Sequence, residues 1–140
     1  MSDFSVYEDI ADMHTKFGVN NWVRNRIEEG NYDILKEFLV FRLSCIQEEL
    51  NETKEAVAKR DNKEIVDGLI DTMVFTLGTL DILGVNAHRA WKEVHRANIS
   101  KEVGIKEGRP NPFGLPDLVK PKGWSGPDHS GNEGQIDYFV

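Results

Sequence analysis

Residues 32–83 read YDILKEFLVFRLSCIQEELNETKEAVAKRDNKEIVDGLIDTMVFTLGTLDIL. Leu39, Leu43, Ile46, Leu50 and Val57 recur at helical spacing, which predicts one long helix over about 32–60. Val66, Leu69, Ile70, Met73, Leu77 and Leu80 mark a second helix over about 62–83. Arg60-Asp61-Asn62-Lys63 between them is a short polar turn, so the two helices are antiparallel neighbours. Each carries acids on one side: Glu48, Glu49 and Glu52 on the first, Glu64, Asp67 and Asp71 on the second. The hairpin lets the two stripes face each other. At 100° per residue, Glu49 and Glu52 border the apolar stripe of their helix and Glu48 falls nearly opposite it.

The flanking sequence is also helical. Val6, Ile10, Met13 and Phe17 predict a helix over about 3–17 with Gly18 as its C-cap. Asn20 and Asn21 mark a restart before Trp22, Val23 and Ile27, and Gly30 and Asn31 punctuate again. Ala87, Trp91, Val94 and Ile99 give a further helix over about 86–100. The fold class is all-α, a four-to-five-helix bundle. From Gly104 onward the composition changes, with all five prolines and seven of the twelve glycines. A long helix there is excluded. Phe113, Leu115, Leu118, Val119 and Trp124 are spaced through the stretch, which predicts an extended arm strapped over the helices or a neighbouring subunit. The reading is therefore a helical catalytic domain over 1–103 and an arm over 104–140, with the last dozen residues loose.

Composition narrows the function. A net charge of −7 argues against nucleic acid as partner. It leaves room for a small phosphate substrate, because a bound metal inverts the local field. Cys45 is the single cysteine, which excludes an intrachain disulfide and fits a reducing compartment. No apolar run approaches the ~20 residues of a membrane span, and the N-terminus lacks the regions of a signal peptide. The expectation is a soluble, cytoplasmic protein with no membrane partner. The four histidines give no zinc pattern, and there is no glycine-rich phosphate loop.

Acids on helices are usually a solvated face, and this chain has 24 of them. Asp67 and Asp71 point the other way. Aspartate is a poor helix former, yet both interrupt the apolar run from Ile65 to Leu80. Two acidic stripes facing each other need a cation, and hard carboxylate oxygens suit Mg²⁺ or Mn²⁺.

The array resembles the MazG-type all-α nucleoside triphosphate pyrophosphohydrolases, a superfamily that includes the phosphoribosyl-ATP pyrophosphohydrolases. Their pattern is Glu-x-x-Glu, a spacer, then Glu-x-x-Asp. Glu49-x-x-Glu52 matches the first half. The second half reads two ways: Glu64-x-x-Asp67 after a short spacer, or Asp71 opening the apolar run Thr72-Met73-Val74-Phe75. In the second register Gly68 stands in the glutamate's place and Asp67 substitutes for it; this register is preferred. Met13-His14-Thr15-Lys16-Phe17-Gly18, Val94-His95-Arg96-Ala97-Asn98-Ile99-Ser100-Lys101 and Lys120-Pro121-Lys122-Gly123-Trp124 resemble segments of the small phage-encoded members.

The resemblance implies hydrolysis of a nucleoside triphosphate between its α and β phosphates. Glu49, Glu52, Asp67 and Asp71 are the expected ligands of two or three Mg²⁺ ions, with Glu48 and Glu64 as further candidates. Mn²⁺ is the expected substitute. Glu48 or Glu49 is the expected group that orients or deprotonates water. Asn98, Lys101, Arg96 and Lys120 are the expected substrate contacts, since a triphosphate needs cations beyond the metal. Phe17 or Trp22 could stack on a base, with core packing the commoner role. Among substrates the weak preference is a deoxynucleotide, dGTP first. Four helices from one chain leave an apolar face exposed, so a homodimer or a dimer of dimers is expected. Two alternatives stand beside this reading: phosphoribosyl-ATP hydrolysis, and a non-enzymatic helical interaction protein.

Overall fold

The computed structural model describes residues 5–108 and 112–140. Its elements are α1 (Val6–Lys16), α2 (Val19–Glu28), α3 (Tyr32–Ala58), α4 (Asn62–Ile82), α5 (Ala87–Ile99), β1 (Glu102–Gly104), β2 (Asp117–Val119) and a 3₁₀ turn at Ile136–Tyr138. The all-α class and the five helices match the periodicity of the sequence.

The helix boundaries have local causes. The Ser5 and Asp61 side chains accept from the backbone N–H of Glu8 and Glu64, capping α1 and α4. One C-terminal motif ends three helices. Asn31 N–H donates to Arg26 O (2.9 Å), Asp61 N–H to Ala56 O (2.9 Å) and Val85 N–H to Leu80 O (3.0 Å). The residue before each donor is left-handed: Gly30, Arg60 and Gly84. Arg60, at φ 56°, is the one non-glycine residue with positive φ among the described residues.

The chain forms two compact units, Met1–Ala87 with Glu133–Val140, and His88–Asn132. This division differs from the one read at 103/104. The reason lies in where the arm finds its bonds. Within the second unit, Trp124 Nε1 donates to Ala97 O (2.9 Å) and Arg96 Nη2 to Gly126 O (2.9 Å). Arg89 donates to Ser130 O and Gly131 O, and Glu93 accepts from Asp128 N–H. The arm is thus laced to α5. A short antiparallel pairing, Glu102 with Val119 through Gly104 with Asp117, begins it. Residues 109–111 of the expected arm lie outside the described residues.

In the first unit the core gathers Val23, Leu35, Ile82, Leu83 and Phe139, with Trp22 and Phe38 edge-on against each other (centroids 4.9 Å). Phe139 overturns the expectation of a loose terminus. Its ring is 2% exposed, Gln135 N–H donates to Leu83 O (2.6 Å), and Tyr138 stacks on Tyr32. One buried aromatic ring near a chain end is enough to tie that end down.

The contact between α3 and α4 is made by small residues. Thr53 and Ala56 are buried on α3, and Gly68, Gly78 and Thr79 on α4. A Cβ at Gly68 would run into the Thr53 side chain, so the two backbones approach closely there. The apolar stripe read as core is largely open in this single chain. Leu43, Val57 and Leu69 are 53%, 56% and 55% exposed. Periodicity identifies an apolar face, but not what covers it. Among the described residues no single helix is long and apolar enough to cross a membrane.

Phe139→Ala should destabilise the first unit by about 3–5 kcal/mol, the usual cost of truncating a fully buried phenylalanine. Chemical denaturation checks this; a loss below about 1 kcal/mol would mean that the terminus is only laid on the surface.

Candidate metal centre

Thr53 and Gly68 set one level of the α3–α4 hairpin, and Arg42 with Thr79 sets another. Glu49 and Asp71 fall between these levels, on the facing sides of the two helices. Both are half-buried, whereas Glu48, Glu52 and Asp67 are exposed. Glu49 is the electrostatic centre of the group. Desolvation raises its pKa, and the carboxylates of Glu52, Asp71, Glu48 and Asp67 raise it further, in that order. Two of these four charges come from the other helix.

Asp67 is exposed, so what ties it to the group is the charge it places on Glu49. Glu64 stands apart from the carboxylates that act on Glu49. It is exposed, in the first turn of α4, where its N–H is capped by Asp61 Oδ1 (3.2 Å). An acid in that position suits the positive end of a helix. Gly68 is buried against Thr53 and has no room for a side chain, so α4 presents its acids from Asp67 and Asp71.

The donor set fits a hard divalent cation: all oxygen, clustered on two helices and unneutralised. The three ion pairs among the described residues are His14–Asp81, Arg26–Glu29 and Arg96–Glu93, and none involves the array. No three acidic, histidine or cysteine side chains among the described residues are drawn tightly enough to hold a metal.

The expected substrate contacts lie in the second unit. Lys101 and Lys120 flank the paired ends of β1 and β2, and both ammonium groups sit over the Trp124 ring, at 5.5 and 4.9 Å from its centroid. The hairpin therefore brings together two cations far apart in sequence. Asn98 is exposed near the end of α5. Arg96 is engaged, donating to Glu93 Oε2 (3.1 Å) and Gly126 O. Of the two aromatics considered for stacking, Trp22 is packed on Phe38, while Phe17 is 71% exposed.

Sequence reasoning passed over Arg42. Its guanidinium donates from Nε to Thr79 Oγ1 (3.3 Å) and from Nη2 to Phe75 O (3.2 Å), and it stacks on the Phe75 ring. His14 lies beside it over Gly78, with its Nδ1 2.7 Å from Asp81 Oδ2. The signal was present as spacing: Arg42 is seven residues before Glu49, on the same helix face.

The raised pKa of Glu49 has a definite sign. Its proton is held more tightly in the folded chain than near 4.5, the ordinary value. The stability this gives is full below about that pH and is lost as pH rises through the raised pKa. Asp71→Asn removes one of the repelling charges. In chelator it should raise Tm at pH 7 by about 1–2 °C. The gain should shrink as the pH falls through the raised Glu49 pKa. A lower Tm for the variant at pH 7 would show that Asp71 is held by something other than repulsion.

The sequence model of the phosphoribosyl-ATP pyrophosphohydrolase family matches residues 23–98, just over half of the chain and every acid of the array. Neither a curated protein nor a solved structure matches the chain. With five helices and facing acidic stripes on α3 and α4, the chain belongs to the phosphoribosyl-ATP pyrophosphohydrolase family, an all-α pyrophosphohydrolase family related to the MazG-type enzymes.

Proposed function

We propose that the protein hydrolyses a nucleoside triphosphate between the α and β phosphates, releasing a nucleoside monophosphate and pyrophosphate. The observation that carries this is the half-buried Glu49, beset by four carboxylates from two helices with no ion pair among the described residues to relieve them. Glu49, Glu52, Asp67 and Asp71 would hold two or three Mg²⁺ ions, or Mn²⁺, which when bound neutralise phosphate charge and lower the pKa of a water. Glu48 or Glu49 takes the proton of the attacking water or orients it. Lys101 and Lys120, gathered on Trp124, supply cations for the remaining phosphate charge. Arg96 could contribute only by loosening its bonds to Glu93 and Gly126. Asn98 and Phe17, exposed with the Lys16 ammonium over its ring, are candidates to meet sugar or base.

Two substrates compete. The segments around His14, Asn98 and Trp124 resemble those of the small phage-encoded members, which favours a free nucleotide, with dGTP the first to try. The family match supports phosphoribosyl-ATP as the second reading. A purely structural interaction protein fits least, since it gives no reason to crowd five carboxylates.

The open stripe supports a homodimer or a dimer of dimers. Leu43, Leu50 and Val57 on α3 and Val66, Leu69 and Ile70 on α4 are large apolar side chains left to solvent by the single chain.

Each of the eight common NTPs and dNTPs, and phosphoribosyl-ATP, should be incubated with Mg²⁺ and assayed for pyrophosphate. Release from at least one is expected, and Asp71→Asn should abolish it. No release from any, with no thermal shift on adding Mn²⁺ and nucleotide, would falsify the enzyme reading. If Asp71→Asn stays active while Glu64→Gln is dead, the register on α4 is the other one. Sedimentation tests the assembly: the wild type should exceed the 15.9 kDa of one chain, and Leu43→Glu should move it towards that mass. A wild type that sediments as one chain sinks the dimer.

A further inference from the structure

We propose that Arg42 holds the terminal phosphates of the substrate, the end that leaves as pyrophosphate. This rests on the pyrophosphohydrolase reading, but not on which nucleotide is used, because the candidate substrates share the triphosphate.

Two anchors of the guanidinium are neutral. Nε donates to the Thr79 hydroxyl and Nη2 to the Phe75 carbonyl, and the Phe75 ring covers one face at 5.0 Å. The chain has 24 acids, yet none forms an ion pair with Arg42 among the described residues. Nη1 has no protein acceptor among them either. It is not sealed away, because among the described residues the one buried side-chain nitrogen or oxygen without a partner is Arg26 Nε. Desolvation lowers the pKa of Arg42, although an arginine keeps its charge in a protein. A half-buried cation on neutral anchors is costly until an anion arrives.

Placement says which anion. Arg42 and Glu49 share a face of α3, about 10 Å apart along the axis. Phe75, which anchors the guanidinium, is one turn beyond Asp71 on α4, about 6 Å. The cation therefore sits on the seam that carries the acids, past their end and within reach of a phosphate chain that starts at them. The seam is narrow there. A Cβ at Gly78 would meet Nη2, and His14, 3% exposed, lies against the same glycine. Guanidinium also suits the task, because it can offer forked donors where an ammonium offers a point charge.

The competing reading is a clamp that only joins α3 to α4. Calorimetry separates the two without turnover. Pyrophosphate and a nucleoside monophosphate are each titrated, in Mg²⁺, into wild type, Arg42→Lys and Arg42→Met, with Tm recorded for all three. Arg42→Met should weaken pyrophosphate binding about 10- to 100-fold, the usual loss for a charged hydrogen bond. Monophosphate affinity should stay within about twofold. KM for the triphosphate should rise with the pyrophosphate loss. Arg42→Lys should weaken pyrophosphate less, and it decides the matter if the methionine variant does not fold. Unchanged pyrophosphate affinity in the folded variants, or an equal loss for both ligands, overturns the proposal. A wild type that hydrolyses no triphosphate defeats the proposed function instead, and the pyrophosphate comparison still decides Arg42.

Discussion

The close approach of α3 and α4 is the constraint on which the rest depends. It is made where residues have little or no side chain, Gly68 against Thr53. Thr53 also turns its hydroxyl inward, donating to Glu49 O (2.7 Å), so its polar atom does not interrupt the contact. With the backbones this close, side chains on the facing sides must either be small or find chemistry together. At the Thr53 level they are small. At the Glu49 level they are like charges, and at the Arg42 level a cation lies on a ring and a carbonyl.

The electrostatic strain at Glu49 follows from that geometry. Carboxylates on separate exposed helices could turn away from one another into water. Glu49 and Asp71 cannot do so fully, because both lie half-buried on the shared seam. The fold thus holds charge that opposes it, and such an arrangement persists where function requires it. In the register that uses Asp71, Gly68 would stand where the family pattern has a glutamate, and the contact with Thr53 leaves that position no space. Asp67, one residue earlier, is free of the contact and still acts on Glu49.

Much of this was legible in the sequence, and the gaps have physical causes. The helices were readable because apolar spacing, capping residues and glycine stops agree, as at Asp61 and Gly84. The central acids were readable because aspartate within an apolar helical run is a local conflict. Three things were not readable. Phe139 looks like any residue near a chain end until its pocket of Val23, Leu35, Ile82 and Leu83 exists. The pairing of β1 with β2 is three residues long, too short for alternation to show. Arg42 reads as an ordinary solvated charge, because only the fold reveals that its neighbours are neutral and that glycine faces it.

The two apolar surfaces of the hairpin divide the labour. Leu35 near the start of α3 and Ile82 at the end of α4 share one end of the antiparallel pair, and there α2 and the C-terminal turn complete a closed core. That end is fixed by the chain itself. Along the rest of the pair large apolar residues are open, Leu43, Leu50, Val57, Val66 and Leu69 among them, and the acids lie within that open stretch. Sequence also ties the acids to the open stripe: Glu49 adjoins Leu50, and Asp71 adjoins Ile70. Whatever covers those apolar neighbours would dehydrate the carboxylates, strengthen their repulsion and sharpen their demand for a cation. Assembly and metal binding would then favour each other, each supplying what the other's burial lacks.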